Sequence, residues 1–250
     1  ILSRDDLAIL EIHRGVTHSF VCLPVWAALL AFLTRWGARR LGLAAPRWRT
    51  LALIYAGVLA LHILLDLVTS FGTMIWTPLS YQRATWDLVF ILDFTLTGIV
   101  LLPQALAWAY RDPARAILRT VSLWVLFSAL VVLLARAARA TGFPFSERAG
   151  VAAVVVLAGL IFLPLLRGWG YGVSRARWCQ AGAIAFVAYL GLCAAAHAVA
   201  LSHVRQFAAA RNLQVEHIGA LPLPPSLAHW DELIRTPNGV YEGRMDLFSR

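Results

Sequence analysis

The residues best suited to chemistry stand in four short segments. His62 and Asp66 lie four apart in an apolar run, so on a helix the imidazole and the carboxylate share one face, with Thr69 next along it. This is the arrangement of a helical metal site. The spacing alone is common, and burial gives it weight: an ionised Asp66 in the last turns of an apolar helix needs a cation or a network of donors. The second segment, His13-Arg14-Gly15-Val16-Thr17-His18-Ser19, immediately precedes an apolar run. The third is Trp86-Asp87 followed by Asp93, and the fourth is a polar C-terminal stretch carrying His203, His217 and His229. Plainer roles are available for each. His13 and His18 can be interfacial residues that cap a helix with Thr17 and Ser19. His62 and Asp66 can form a metal-free hydrogen-bonded pair between helices. Asp87 can be a first-turn acid favoured by a helix dipole. The three C-terminal histidines read as ordinary surface residues.

The elements that must position these groups are membrane helices. Apolar residues make up 60% of the 250-residue chain and charged residues only 14%, a balance expected of a protein dissolved in a bilayer. The formal charge of +9 does not point to nucleic acid, because the arginines punctuate apolar runs instead of forming one basic face. The three cysteines, Cys22, Cys179 and Cys193, show no CxxC spacing and support neither a disulfide framework nor a thiolate metal site. A spanning helix needs about 20 mostly apolar residues. By that criterion six spans are predicted, near residues 19–36, 50–69, 88–110, 119–135, 150–166 and 180–201, with a turn at Thr141-Gly142-Phe143-Pro144. The fold class is therefore an all-α polytopic membrane protein. Residues 1–201 form its transmembrane domain, and residues 202–250 form a small extramembrane cap. In the cap, Pro222, Pro224 and Pro225 break helices, and Thr236-Pro237-Asn238-Gly239 between Trp230 and Tyr241 predicts a β-hairpin turn.

Arginine placement orients the chain. The loops after spans one, three and five hold eleven arginines, against six in the N-terminal segment and the loops after spans two and four. The positive-inside rule then places the odd-numbered loops in the cytoplasm and both termini outside. The segment before span one, the end of span two, the start of span three and the cap consequently share one face of the membrane. His13, His18, His62, Asp66, Asp87 and Asp93 can converge there. Asp93 lies about four residues inside the third span, too deep for a routine dipole-stabilising acid.

These motifs resemble those of the YdjM-like family, inner-membrane-bound proteins grouped as metal-dependent hydrolases. The resemblance rests on His13-Arg-Gly-Val-Thr-His18-Ser19, on His62-xxx-Asp66-xx-Thr69-Ser-xx-Gly72-Thr73, on Trp76-Thr-Pro78-Leu-Ser80 and on Trp86-Asp87-xxxxx-Asp93. It covers roughly residues 10–95. Family members carry a first helix with a Thr-His pair and an Asp-x-Asp turn ahead of the HRGxTHS segment. Both are lacking here, so the resemblance implies further ligands ahead of Ile1.

The expected function is metal-dependent hydrolysis at the outer face of a bacterial inner membrane, on an ester or phosphoester of a lipid or other amphiphile. Mixed His and Asp donors suit zinc first, then manganese or iron. His18, His62 and Asp66 are the leading ligands, with His13 and Asp93 next; Asp93 is also a candidate catalytic residue. Arg14 is expected to hold a substrate phosphate, and Thr17 or Thr69 to orient ligands. The competing reading is a non-enzymatic transporter or scaffold in which the same residues form a polar relay or a structural ion site. A transporter places such groups near the midplane and often shows internal repeats, and neither feature is seen here.

Overall fold

A computed structural model describes residues 14–140 and 147–248. The expected turn at 141–144 falls outside them, as does His13. The described residues are mostly helical, with six α-helices among them: α1 (Leu23–Arg40), α2 (Trp48–Leu67), α3 (Phe94–Ala109), α4 (Pro113–Ala140), α5 (Glu147–Leu166) and α6 (Arg175–Ala210). Three of them, α2, α4 and α6, are long and apolar enough to cross a membrane. Helix α3 and the apolar part of α5, Gly150–Leu166, are shorter than a full span, and α1 carries Arg35, Arg39 and Arg40 in its second half. Leu53, Ile117 and Ile184 are 74%, 67% and 71% exposed. Side chains of this kind on these helices face a solvent that is itself apolar.

The first of two compact units comprises residues 1–93 and 190–250. Helix α1 ends where Arg39 and Arg40 meet the negative end of its dipole. Gly42 (φ 66°) then takes the left-handed conformation that closes a helix. The Leu43 N–H reaches the Ala38 carbonyl at 2.8 Å and the Gly42 N–H the Arg39 carbonyl at 3.3 Å. This closure turns the chain back into α2, which lies against α1, with Thr34 Oγ1 and Tyr55 Oη 2.6 Å apart.

Residues 68–93 are not helical, which corrects the expectation of a third span starting near residue 88. The Trp86 N–H donates to the Leu67 carbonyl (2.8 Å), and the Leu88 and Val89 N–H groups both donate to that of Val68 (2.9 Å each). These bonds hold the segment extended along the end of α2, so α3 begins only at Phe94. Within the segment, Thr73 and Ala84 form an antiparallel bridge. Gly72 (φ 80°) occupies a spot where a Cβ would sit 3.1 Å from the Arg83 Cβ.

The C-terminal stretch forms a three-stranded antiparallel sheet in the order β1 (His217–Leu223), β2 (His229–Thr236) and β3 (Gly239–Asp246). The hairpin turn at Pro237-Asn238 is as expected, with Thr236 paired to Gly239. Helix α6 has 36 residues and is about 54 Å long, well beyond a hydrocarbon core of about 30 Å. Its second half carries a stripe of Ala196, Ala200, Val204 and Ala208 at four-residue spacing. Against this stripe lie Ala220 and the fully buried Trp230 at one level, and Ile234 at the next.

The second unit, residues 94–189, holds α3 to α5 and the start of α6. Its core gathers Leu106, Tyr110, Leu123, Ile161 and Trp178. The Tyr110 hydroxyl donates to the Ile161 carbonyl.

Candidate metal centre

The centre is assembled from the turn before α1 and the last turns of α2, both in the first unit. Val16–His18 form a short 3-10 helix, fixed from several directions. Trp26 Nε1 donates to the Val16 carbonyl (3.1 Å). Ser19, fully buried, donates through Oγ to the Thr77 carbonyl at 2.5 Å. The Phe20 N–H reaches the Ile75 carbonyl, and the Met74 N–H the Arg14 carbonyl, at 2.9 and 3.0 Å. The segment around His18 is thereby held against the 73–84 loop, and the imidazole is brought to the face of α2 that carries His62 and Asp66.

Three donor atoms meet there. His18 Nε2 lies 3.2 Å from His62 Nε2 and 3.4 Å from Asp66 Oδ2, and His62 Nε2 lies 3.8 Å from the same oxygen. Two ligands about 2.0–2.1 Å from one tetrahedral ion stand roughly 3.3–3.4 Å apart, so the spacing fits a single transition-metal ion. Asp66 Oδ2 is buried and accepts no hydrogen bond among the described residues. A buried carboxylate oxygen turned toward two imidazole nitrogens is one that a shared cation could satisfy. His18, His62 and Asp66 can therefore hold a metal ion.

The surrounding contacts set the orientation of each donor. Thr17 Oγ1 is 2.8 Å from His18 Nδ1. In the tautomer with the proton on Nδ1, that nitrogen donates to the hydroxyl and leaves the Nε2 lone pair for a metal. Arg14, in the left-handed conformation (φ 57°), turns its guanidinium inward. Nη2 lies 3.3 Å from Asp66 Oδ1, and Nη1 donates to Thr69 Oγ1 at 2.9 Å, while Thr69 Oγ1 donates to the Asp66 carbonyl at 2.8 Å. The guanidinium also stacks 4.9 Å from the centre of the Phe71 ring. One oxygen of Asp66 is thus held by Arg14 and the other faces the histidines. Exposure is uneven: the Arg14 and Asp66 side chains are 6% and 12% exposed, that of His62 56%. The centre is anchored on the Asp66 side and open on the His62 side.

The other residues named from the sequence fall elsewhere or outside the described range. His13 lies outside the described residues. Asp93 does not join the three-residue group. It stands just before α3, is buried, and accepts the Ser226 N–H on Oδ2 at 3.2 Å. Asp87 takes a left-handed conformation and accepts the Thr85 hydroxyl (2.8 Å) in the 84–89 segment. His203 bonds Glu232 at 2.8 Å, and His229 lies 3.4 Å from Asp246, both within the cap and its helix. Sequence reasoning missed Ser226, whose Oγ also accepts the Phe90 N–H at 2.8 Å. No local pattern marks a serine after two prolines as the partner of a segment more than 130 residues away.

A family model described as YdjM inner membrane protein matches residues 1–141. The chain belongs to that family. The matched range contains His18, His62 and Asp66 and also Arg14, Thr17 and Thr69, so the whole donor group and its supports lie within family territory. The cap and all of α5 and α6 lie beyond it. No curated protein and no solved structure matches the chain.

Proposed function

We propose that this YdjM-family protein is a metal-dependent hydrolase embedded in the bacterial inner membrane, acting at the outer face on an ester or phosphoester of a lipid or other amphiphile. The observation that carries the reading is the meeting of His18 Nε2, His62 Nε2 and Asp66 Oδ2 within 3.2–3.8 Å, the last a buried carboxylate oxygen that accepts no hydrogen bond among the described residues. Zinc suits this set best, with manganese or iron next. A bound ion of this kind would supply Lewis acidity to a scissile oxygen and acidify a water.

The chain's own residues do the positioning. Thr17 Oγ1, 2.8 Å from His18 Nδ1, orients the imidazole and can accept an Nδ1 proton, which leaves Nε2 for the ion. Arg14 and Thr69 hold Asp66 so that one oxygen stays turned toward the imidazoles. Because Arg14 is buried on Asp66, it orients a ligand, and a substrate phosphate is met from the exposed His62 side. Arginine counts support an orientation with both ends of the described chain outside, placing the centre at the headgroup level of the outer leaflet. A multi-pass protein with a donor group at the end of α2 meets amphiphiles there without removing them from the bilayer.

The test is hydrolysis by the protein in phospholipid vesicles, after metal loading, against amphiphiles bearing carboxylic-ester and phosphoester bonds. Turnover of one class is expected, lost in His62→Ala and Asp66→Asn and kept in Asn238→Ala. Full metal occupancy with no turnover of either class would instead assign the centre a structural role in a transporter or scaffold.

A further inference from the structure

The opposite end of the α1–α2 pair carries a second feature, unrelated to the metal donors. From residue 12 to residue 65 the sequence contains no acidic residue, while Arg35, Arg39, Arg40, Arg47 and Arg49 crowd the turn between the two helices. The turn is about 21 Å along α2 from His62, counting 14 residues back to Trp48 at about 1.5 Å each. A groove of about 290 Å³ opens there, lined by Phe32, Arg35, Trp36, Arg39 and Trp48.

The lining combines arginines with aromatic residues. Arg35 and Arg39 are four apart and share one face of α1. Arg35 Nη1 donates to the Pro46 carbonyl at 3.0 Å, which pins the guanidinium across the turn and leaves its remaining N–H groups for another acceptor. Arg40 stacks over the Trp36 ring at 5.5 Å, stiffening the rim. Beside the arginines, Phe32, Trp36 and Trp48 are 59%, 53% and 46% exposed. The groove thus combines cationic hydrogen-bond donors with exposed aromatic rings. It lies at the end of a helix able to span the membrane. Tryptophan and arginine at this level match the boundary between phosphate and acyl chain.

We propose that this groove binds the headgroup of an anionic phospholipid from the leaflet at the α1–α2 turn, Arg35 and Arg39 taking the phosphodiester and the aromatic residues flanking the first carbons of the acyl chains. Charge decides the occupant. A zwitterionic lipid brings a cation that nothing in this acid-free region neutralises, whereas an anionic lipid brings only the phosphate charge. The site does not depend on the hydrolase reading.

The test is native mass spectrometry of the full chain in detergent, titrated with dioleoyl phosphatidylglycerol and, separately, with dioleoyl phosphatidylcholine. Wild-type protein is expected to retain phosphatidylglycerol in preference. Arg35→Gln and Arg39→Gln should each weaken that binding about five-fold, the effect of one basic side chain at a lipid surface. Arg111→Gln, which removes an arginine from a different loop, should leave it unchanged. Metal content should be unaltered in all three variants. Equal retention of the two lipids, or equal weakening by Arg111→Gln, would overturn the proposal, since general positive charge would then account for the binding. Competition by soluble glycerol phosphate at the same concentration as the lipid would also overturn it, by showing that the ligand is a free phosphate ester.

Discussion

Replacing His62 with alanine separates metal binding from folding, because His62 is the most exposed member of the donor group. Its side chain is 56% exposed and belongs to none of the buried clusters of the described residues, so the metal-free protein should change in stability by no more than about 0.5 kcal/mol. Metal binding should change far more. The remaining donors, His18 Nε2 and Asp66 Oδ2 at 3.4 Å, form a two-ligand site. Loss of a supporting contact costs about 10- to 100-fold in affinity, and loss of a direct ligand should exceed that. In free zinc at about 100 times the wild-type dissociation constant, binding stabilises the native protein by about 2.7 kcal/mol. With affinity lowered about 1000-fold, the same zinc adds less than about 0.1 kcal/mol. The assay is a pair of melting curves per protein in detergent, one with chelator and one with zinc, alongside elemental analysis. The wild type should gain stability with zinc and His62→Ala should not, while their chelator curves coincide. If His62→Ala kept both its metal and its zinc-dependent gain, the ion would be held elsewhere and the geometric argument would be wrong.

Three further outcomes follow from neighbouring contacts. Arg14→Met strands the Asp66 carboxylate, so in chelator it should destabilise the protein by about 3–5 kcal/mol, with Arg14→Met/Asp66→Leu recovering most of the loss; additive effects in this melting cycle would refute the pairing. Ser226→Ala leaves the Phe90 N–H without its acceptor, at a cost of about 1 kcal/mol, and should speed hydrogen exchange at residues 88–93 without changing metal content. Loss of metal in that variant would tie the Asp93 segment to the centre. A cysteine introduced at Asn238 should react with an impermeant reagent from outside the cell and one at Ala44 should not; labelling of both from one side would remove the support for an outward-facing site.

Helical periodicity carried the reading of the site where donors share an element. His62 and Asp66 stand four apart on α2, and that fixes their common face whatever surrounds them. The approach of His18 was legible only as an expectation of topology, because the bonds that bring it in, from Ser19, Phe20 and Met74, join segments more than 50 residues apart. Asp93 shows the limit. Residues 88–93 are apolar enough to continue into a span, and hydropathy does not register that the Leu88 and Val89 N–H groups are committed to the Val68 carbonyl. Arg14 shows another. An arginine in a polar motif reads as a hand for substrate, and only the buried contact with Asp66 and Thr69 turns it inward. In the cap, Pro-Asn-Gly marked the hairpin, while the pairing of β1 with β2 depends on α6 supplying a face for Trp230 and Ile234.

The centre itself is most directly probed by X-ray absorption at the zinc edge on the zinc-loaded full chain. The wild type should show nitrogen and oxygen donors at about 2.0–2.1 Å, with outer-shell scattering from two imidazole rings. Whatever metal remains in His62→Ala should show one ring fewer. A spectrum without imidazole, or one with sulfur at about 2.3 Å, or one unaltered by His62→Ala, would contradict the three-donor centre.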